Sequence, residues 1–455
     1  MSHTHITDCR GLAISAPDAD AVARLEAIIN DIYYYRLGVQ DRLDALIAEC
    51  PQLVLAHVLK GYSLMTDGTL DSHPQALERL QAADALPANP RERLHREALR
   101  AWLEQDTAAR AAAWEQVLVE WPLDLLALRQ YTGTLFWMGD KRHQAAVMAG
   151  ASPYWSRGIP GHAHFLSAHA FAMEEAGLYA VAERSARQAL DTEPQDLWAL
   201  HALAHVLEMQ GRNEEGIATL EDAAGFLDDY NLFRGHLWWH LALFLLSVSR
   251  FDEALALFDA EIYPEPSGFY LDIQNGVSLL ARLEFQGLEV GDERWQRLAQ
   301  GSLPNATQCT IWFTAMHHVI ALLRSGRLAD VKAALDYLNA TAAGNEQAGL
   351  AHGLSQAAAA FYGGHPDESL TRFLALRPRQ GELGASHAQQ DLYDQIAIMA
   401  AHRSGDLPRV RQCLKERRFT RVWDDASWQA YETCARGIDS MEDVEAIRAE
   451  LIWKP

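Results

Sequence analysis

In the stretch "WALHALAHVLEMQGR", residues 198–212, three residues have types and spacing that could do chemistry: His201, His205 and Glu208, at i, i+4 and i+7. On a helix with 3.6 residues per turn that spacing puts them on one stripe. Two imidazoles at i, i+4 match the ligand spacing of helix-borne zinc sites, and an imidazole with a carboxylate at i, i+3 is the building block of metal sites in bundles. A second pair, His236 and His240 in "HLWWH", repeats the i, i+4 spacing. A divalent metal is the cofactor these spacings permit, with His201, His205, Glu208 and His240 as its ligands. The H-E-x-x-H form is absent, because Ala202 follows His201. Metal-free chemistry fits the same residues. Glu208 near His205 would fix the imidazole tautomer and raise its basicity, which makes His205 and Glu208 the candidate catalytic pair for acid–base work. There is no G-x-S-x-G, no P-loop and no dinucleotide fingerprint, so nucleophile-elbow, phosphate-cradle and nicotinamide chemistries lack support.

Such residues need helices to hold them, and the chain is organised as a helical repeat. Residues 163–196 and 197–230 are two 34-residue units, each with a helical pattern, glycine at place 15, a small residue at place 20 and a second helical pattern. Pro194 closes the first at place 32. This is the tetratricopeptide frame of two antiparallel helices per repeat. Glycine at place 15 permits the turn between them. The frame extends to 91–124, which ends with Pro122 at place 32, to 125–158 with Gly139 at place 15, and to 235–268. Degenerate units follow over about 311–435, where Gly326, Gly364 and Gly405 each sit at place 15. Residues 261–310, with Pro264 and Pro266, break the rhythm and read as extra helices with a loop. "GLAIS" is too short to matter as a strand. The expectation is an all-α tetratricopeptide-repeat solenoid of roughly eight or nine helix pairs, running as one continuous domain over residues 1–455.

In this architecture places 2, 5, 9 and 12 of the first helix face the concave groove, while places 4, 7, 8 and 11 pack between helices. Trp198, His201, His205 and Glu208 fall at places 2, 5, 9 and 12 of their repeat, and Leu200, Leu203, Ala204 and Leu207 take the packing places. His164 is at place 2 of the preceding repeat; His236 and Trp239 are at places 2 and 5 of the following one. His240 and His317 both sit at place 6, one step off the stripe, while His95 and His402 fall on groove places. His169 and His318, at place 7, read as buried packing histidines. His3 and His5 lie in the N-terminal stretch and carry no weight. Trp198, Trp239, Trp102 and Phe136 add aromatic rings to the groove, which with nearby carboxylates suit an amphipathic or cationic ligand. Only Arg129 puts a cation at place 5, 9 or 12 of the clear repeats, against the mode that captures acidic C-termini.

Bulk properties narrow the partners. The formal net charge is −22 over 455 residues and only 5 are lysine, which argues against nucleic acid and against anionic membranes. Five scattered cysteines with no C-x-x-C pair suggest a reduced compartment without a disulfide framework. The N-terminus lacks a basic region followed by an apolar run, and no apolar stretch reaches about 18 residues, so a cytoplasmic protein is expected.

Several motifs resemble the tetratricopeptide repeat protein 38 family, in a bacterial-type form: "DLWALHALAHVLEMQGRNEEG", "GHLWWHLALFLL" with "FDEALALFD", "RERLH", "WEQVLVEWPLDLLALR", "LDIQNGVSLLARLEFQGLEVGDERWQ" and "LGASHAQQDLYDQ". They run in order from about residue 40 to about residue 400. The resemblance implies mainly the fold, a helical solenoid closing around a groove, and it carries no assigned activity. Its motifs fall on His201, His205, Glu208, His236, His240, His317, Asp272 and Ala388–Asp391. At His387 the family commonly has Asn. Asp272 and Arg282 sit in the irregular segment, as an ion pair or as ligand contacts.

Three functions fit these readings. The first is binding of a small molecule or short peptide in the groove by His164, Trp198, His201, His236, Trp239, His240, Asp272 and His317. The second is an enzyme in the same groove, metal-dependent or using His205 and Glu208. The third is a scaffold for protein partners. Oligomeric state is left unassigned.

Overall fold

The structure, a computed structural model, describes residues 6–230 and 233–417. His3, His5, Cys434 and the end of the last degenerate unit, 418–435, lie outside the described residues. The described chain is all-α, with 22 α-helices and one two-stranded antiparallel pair, Ile6–Thr7 with Ala13–Ile14. The second of these strands falls in "GLAIS" and is two residues long. The helices follow one another as antiparallel pairs, which is the tetratricopeptide-type solenoid plan.

The described residues group into two compact units. One comprises residues 6–203 with 225–230 and 233–234, and the other residues 204–224 with 235–417. In the first unit the pairs are Val54–Met65 with His73–Asp84, Pro90–Leu103 with Thr107–Glu120, Leu125–Trp137 with Lys141–Ala151, and His162–Glu175 with Tyr179–Thr192. In the second, Arg234–Ser247 is followed by Phe251–Leu257 and a wider turn Phe258–Ile262. Then come Tyr270–Phe285 with Asp292–Ser302, Trp312–Arg324 with Leu328–Ala342, Glu346–Tyr362 with Pro366–Leu376, and His387–Arg403 with Leu407–Arg417. The irregular segment is thus one long buried helix and a shorter partner.

The turn at place 15 has a single geometry. Gly177 and Gly211 adopt φ of +79° and +68°, in the left-handed region. In each turn two backbone N–H groups close onto the preceding helix end: Gly177 to Glu174 and Leu178 to Met173, Gly211 to Glu208 and Arg212 to Leu207. Repeats that lack glycine there keep the same turn. Gln105 and Ser249 take φ of +59° and +61°, with the same pair of backbone bonds, Gln105 to Trp102 and Asp106 to Ala101, Ser249 to Leu246 and Arg250 to Leu245.

Place 20 is small where two helices touch. A Cβ on Gly216 would lie 2.3 Å from Phe244 Cζ, while Ala182 and Ala254 are fully buried. Two repeats break this rule with polar side chains that find partners. Arg110 lies over Trp102, 4.4 Å from the ring centroid, and Gln144 donates to the Thr132 carbonyl at 3.2 Å.

Candidate functional site

The opening helix, Leu197–Met209, starts at Asp196, whose carboxylate accepts from Trp198 N–H at 2.9 Å and Ala199 N–H at 3.1 Å. Leu200, Leu203, Ala204 and Leu207 are buried, as their packing places require. The chemical stripe is buried as well: His201, His205 and Glu208 are each at most 3% exposed. The sequence places this stripe on the concave groove face. A helix carrying three buried ionisable side chains on one face must satisfy them internally, which makes their partners the question.

Within the second unit the partners come from two further helices. His205 and His240 have ring centroids 4.5 Å apart, and His236 and His240 are 4.8 Å apart. His205, His236 and His240 each offer a ring nitrogen within 4.8 Å of the others. His240 Nδ1 donates to the Glu208 carboxylate at 3.2 Å, across from one helix to the next. His236 Nδ1 donates to Asn275 Oδ1 at 2.8 Å, from the long helix Tyr270–Phe285. Both acceptors are oxygens, so in the neutral imidazoles Nδ1 carries the proton and Nε2 the lone pair. Burial pushes His236 well below its ordinary pKa, with His240 adding to the shift and Asn275 opposing it, so this ring is neutral.

The wall of the cluster is aromatic. Trp239 stacks on His236, centroids 5.1 Å apart and planes 12° from parallel, and the Arg282 guanidinium carbon stands 5.8 Å from a Trp239 ring centroid. Trp239 is fully buried and Asn275 nearly so. Trp239 Nε1 and Asn275 Nδ2 have no hydrogen-bond acceptor among the described residues. Sequence reasoning missed Asn275; its signal was a buried amide one turn from Asp272 in a helix with no repeat register.

Asp272 itself is buried and pushed up to about 6 by that burial, with a Ser267 hydrogen bond pulling the other way. It does not pair with Arg282, as one reading of the sequence had it. Arg282 instead donates to the Ala388 carbonyl at 2.9 Å and stands 3.7 Å from Asp391, whose carboxylate also holds Arg417. The reason is helical phase and length: residues 272 and 282 are ten apart, about 15 Å along the axis. His317 is buried, donates from Nδ1 to the Phe313 carbonyl at 3.1 Å, and is pushed down to about 3 by burial. His318 is fully enclosed, as its packing place predicts, and His402 is exposed at a place that predicts a groove.

The remaining candidates belong to the first unit. His201, one turn before His205 on the same helix, lies among Phe171, Trp198 and Phe233 with ring centroids 4.8–5.2 Å away. Trp198 also stands under the Arg129 guanidinium, at 4.7 Å. His164 bonds Asn30 at 2.9 Å and lies against Tyr34, centroids 3.8 Å apart. His95 is held between Tyr62 and Asp124, and Asp124 also accepts from Arg91 at 2.6 Å. His169 is half-buried and bonded to Ser185 at 3.0 Å.

No helix among the described residues is long and apolar enough to cross a membrane. No family model matches the chain. Among solved structures it is similar to a human IFIT1 dimer with m7Gppp-AAAA, at 12% identity and a TM-score of 0.44, covering 96% of this chain and 95% of that one. It is also similar to a Rap protein complexed with Competence and Sporulation Factor, at 12% identity and a TM-score of 0.38, covering 88% of this chain and 98% of that one. The exclusion of nucleic acid drawn from net charge gains no support from these likenesses.

Proposed function

We propose that this protein binds a small oxygen-bearing molecule beside the imidazole cluster of its second unit, and that it belongs with the tetratricopeptide repeat protein 38 family whose motifs it resembles. The observation that carries the binding reading is the pair of buried donors, Trp239 Nε1–H and Asn275 Nδ2–H, which flank His236 with no acceptor among the described residues. A buried donor without an acceptor costs roughly 1–3 kcal/mol, and two at one place are what an acceptor-rich ligand would satisfy. The aromatic wall suits a molecule with an apolar part as well.

The test is mass spectrometry of small molecules released from the full-length protein on denaturation, repeated with Trp239→Phe. That variant keeps a ring and removes the N–H. An oxygen-bearing molecule carried by the native chain and retained less by Trp239→Phe is the expected result. No ligand in either, or equal retention in both, overturns the reading.

A second reading, an acid–base enzyme, is favoured by one contact, the 3.2 Å bond between His240 Nδ1 and Glu208. A carboxylate there stabilises the imidazolium that forms when His240 Nε2 takes a proton. In this reading His240 is the base and Glu208 its orienting partner, while His205 stands beside them.

A further inference from the structure

We propose that His205, His236 and His240 hold a zinc-type divalent transition metal, with Glu208 and Asn275 as the groups that orient two of the ligands and not as ligands themselves. This deepens the binding reading and rests on it for one point only: the ion would supply the contact that anchors the oxygen-bearing molecule.

The argument begins with ligand direction. An imidazole binds a metal through a ring nitrogen that carries no proton, and its other nitrogen is nearly always fixed by a carboxylate or amide oxygen. Both halves of that arrangement are present twice. Glu208 takes the Nδ1 proton of His240 at 3.2 Å, and Asn275 Oδ1 takes that of His236 at 2.8 Å. Each bond leaves Nε2 as the metal-binding nitrogen and fixes the plane of its ring. Two acceptors from two different helices are each set on the same nitrogen of a different histidine.

Distance comes next. Tetrahedral Zn–N bonds of about 2.0–2.1 Å put ligand nitrogens about 3.4 Å apart. One ring nitrogen of each histidine lies within 4.8 Å of those of the other two, and side-chain rotation would have to close the remaining gap onto one ion. The rings already crowd together, with His240 central, 4.5 Å from His205 and 4.8 Å from His236.

Chemistry selects the ion. Mg²⁺ and Ca²⁺ want oxygen ligands, whereas imidazole suits zinc and its first-row neighbours. The ion binds rings that have lost any extra proton, so its uptake releases protons wherever a ring carried one. Charge balance favours the same picture. Three neutral imidazoles leave the ion at +2; Glu208 provides one compensating negative charge through His240, and an anionic oxygen of the bound molecule can provide the other.

The experiment uses the full-length chain purified without a polyhistidine tag. Metal content is measured as purified; chelator-treated protein is then titrated with Zn²⁺ and with Mg²⁺, followed by thermal melting, and Co²⁺ is used for a visible spectrum. Stoichiometric zinc, a melting temperature raised by Zn²⁺ and not by Mg²⁺, and the intense bands of tetrahedral Co²⁺ are expected. Glu208→Gln keeps the side-chain shape and should weaken zinc affinity roughly 10–100-fold with circular dichroism unchanged. His236→Ala with His240→Ala should abolish stoichiometric binding. A chain that neither contains nor takes up zinc overturns the proposal, as does a folded double variant with its full complement. If the double variant does not fold, unchanged zinc affinity in both Glu208→Gln and Asn275→Ala overturns it. An organic ligand retained by protein that takes up no metal removes the ion and leaves the binding reading standing; zinc with no organic ligand does the reverse.

Discussion

Asp272 is a carboxyl buried where a Ser267 hydrogen bond tempers the effect of burial, and its pKa rises from the ordinary value to about 6. The native state therefore holds this proton more tightly than the unfolded chain does. Stability from it is complete below about pH 4 and is lost as pH climbs through about 6, a loss of about 2–3 kcal/mol. Asp272→Asn removes the titrating group and keeps a hydrogen-bonding side chain of the same shape. Its effect on stability should grow from near zero at pH 4 to a gain of that size at pH 7, read as the difference between urea midpoints at the two pH values. A constant difference across that range would mean that Asp272 keeps an ordinary pKa in the folded state. A carboxyl kept at such cost is a functional candidate, and Asp272 stands one turn from Asn275, which orients His236.

At the scale of the element, the place-15 turn keeps one geometry whether or not glycine fills it. Ser249 holds φ of +61° on the surface, where a Cβ costs roughly 1–2 kcal/mol and glycine costs nothing sterically. Part of that gain is returned because glycine frees the unfolded chain by roughly 0.4–1 kcal/mol. Ser249→Gly should raise stability by up to about 1 kcal/mol, measurable as a higher urea midpoint with unchanged slope. Gly216→Ala should act in the opposite direction. Its Cβ would fall 2.3 Å from the Phe244 ring, so the Asn213–Ala223 helix must shift, at about 1–3 kcal/mol. A lower thermal midpoint for Gly216→Ala checks this, and an unchanged one would mean that Phe244 moves freely. These turns also mark what could be read in advance. The 34-residue period, the turn glycines and the packing leucines are local signals, so the all-α repeat fold was legible. Arg110 and Gln144 at small-residue places were not, because the Trp102 ring and the Thr132 carbonyl that accept them are tertiary neighbours. The site was half legible for the same reason. The spacing of His201, His205 and Glu208 follows from one helix, whereas the junction of Glu208 with His240 and of Asn275 with His236 depends on how neighbouring helices are phased. His240, one step off the expected stripe, is the residue at the centre of the cluster.

Over the whole molecule the charge of −22 raises the local concentration of cations and lowers that of anions, an effect screened beyond about 8 Å at physiological salt. That field favours delivery of a divalent cation to an acidic protein, and it leaves selection of the ion to the neutral rings inside. Metal removal then has a defined consequence for the second unit. An ion bound only by the folded state stabilises it by about 4 kcal/mol when present at a thousandfold its dissociation constant. Two of the three helices that carry the ligands and their orienting groups, Arg234–Ser247 and Tyr270–Phe285, are buried along nearly their whole length, so their amides should exchange only through large openings. Hydrogen–deuterium exchange of chelated against zinc-loaded protein should show faster exchange in these two helices. The Pro90–Leu103 helix of the first unit keeps its own network, Arg91 and His95 on Asp124, and should exchange at the same rate in both states. Acceleration that is uniform over the chain would place the stabilising ion outside the cluster, and no acceleration at all would show that the histidines hold their positions by hydrogen bonds and ring packing alone.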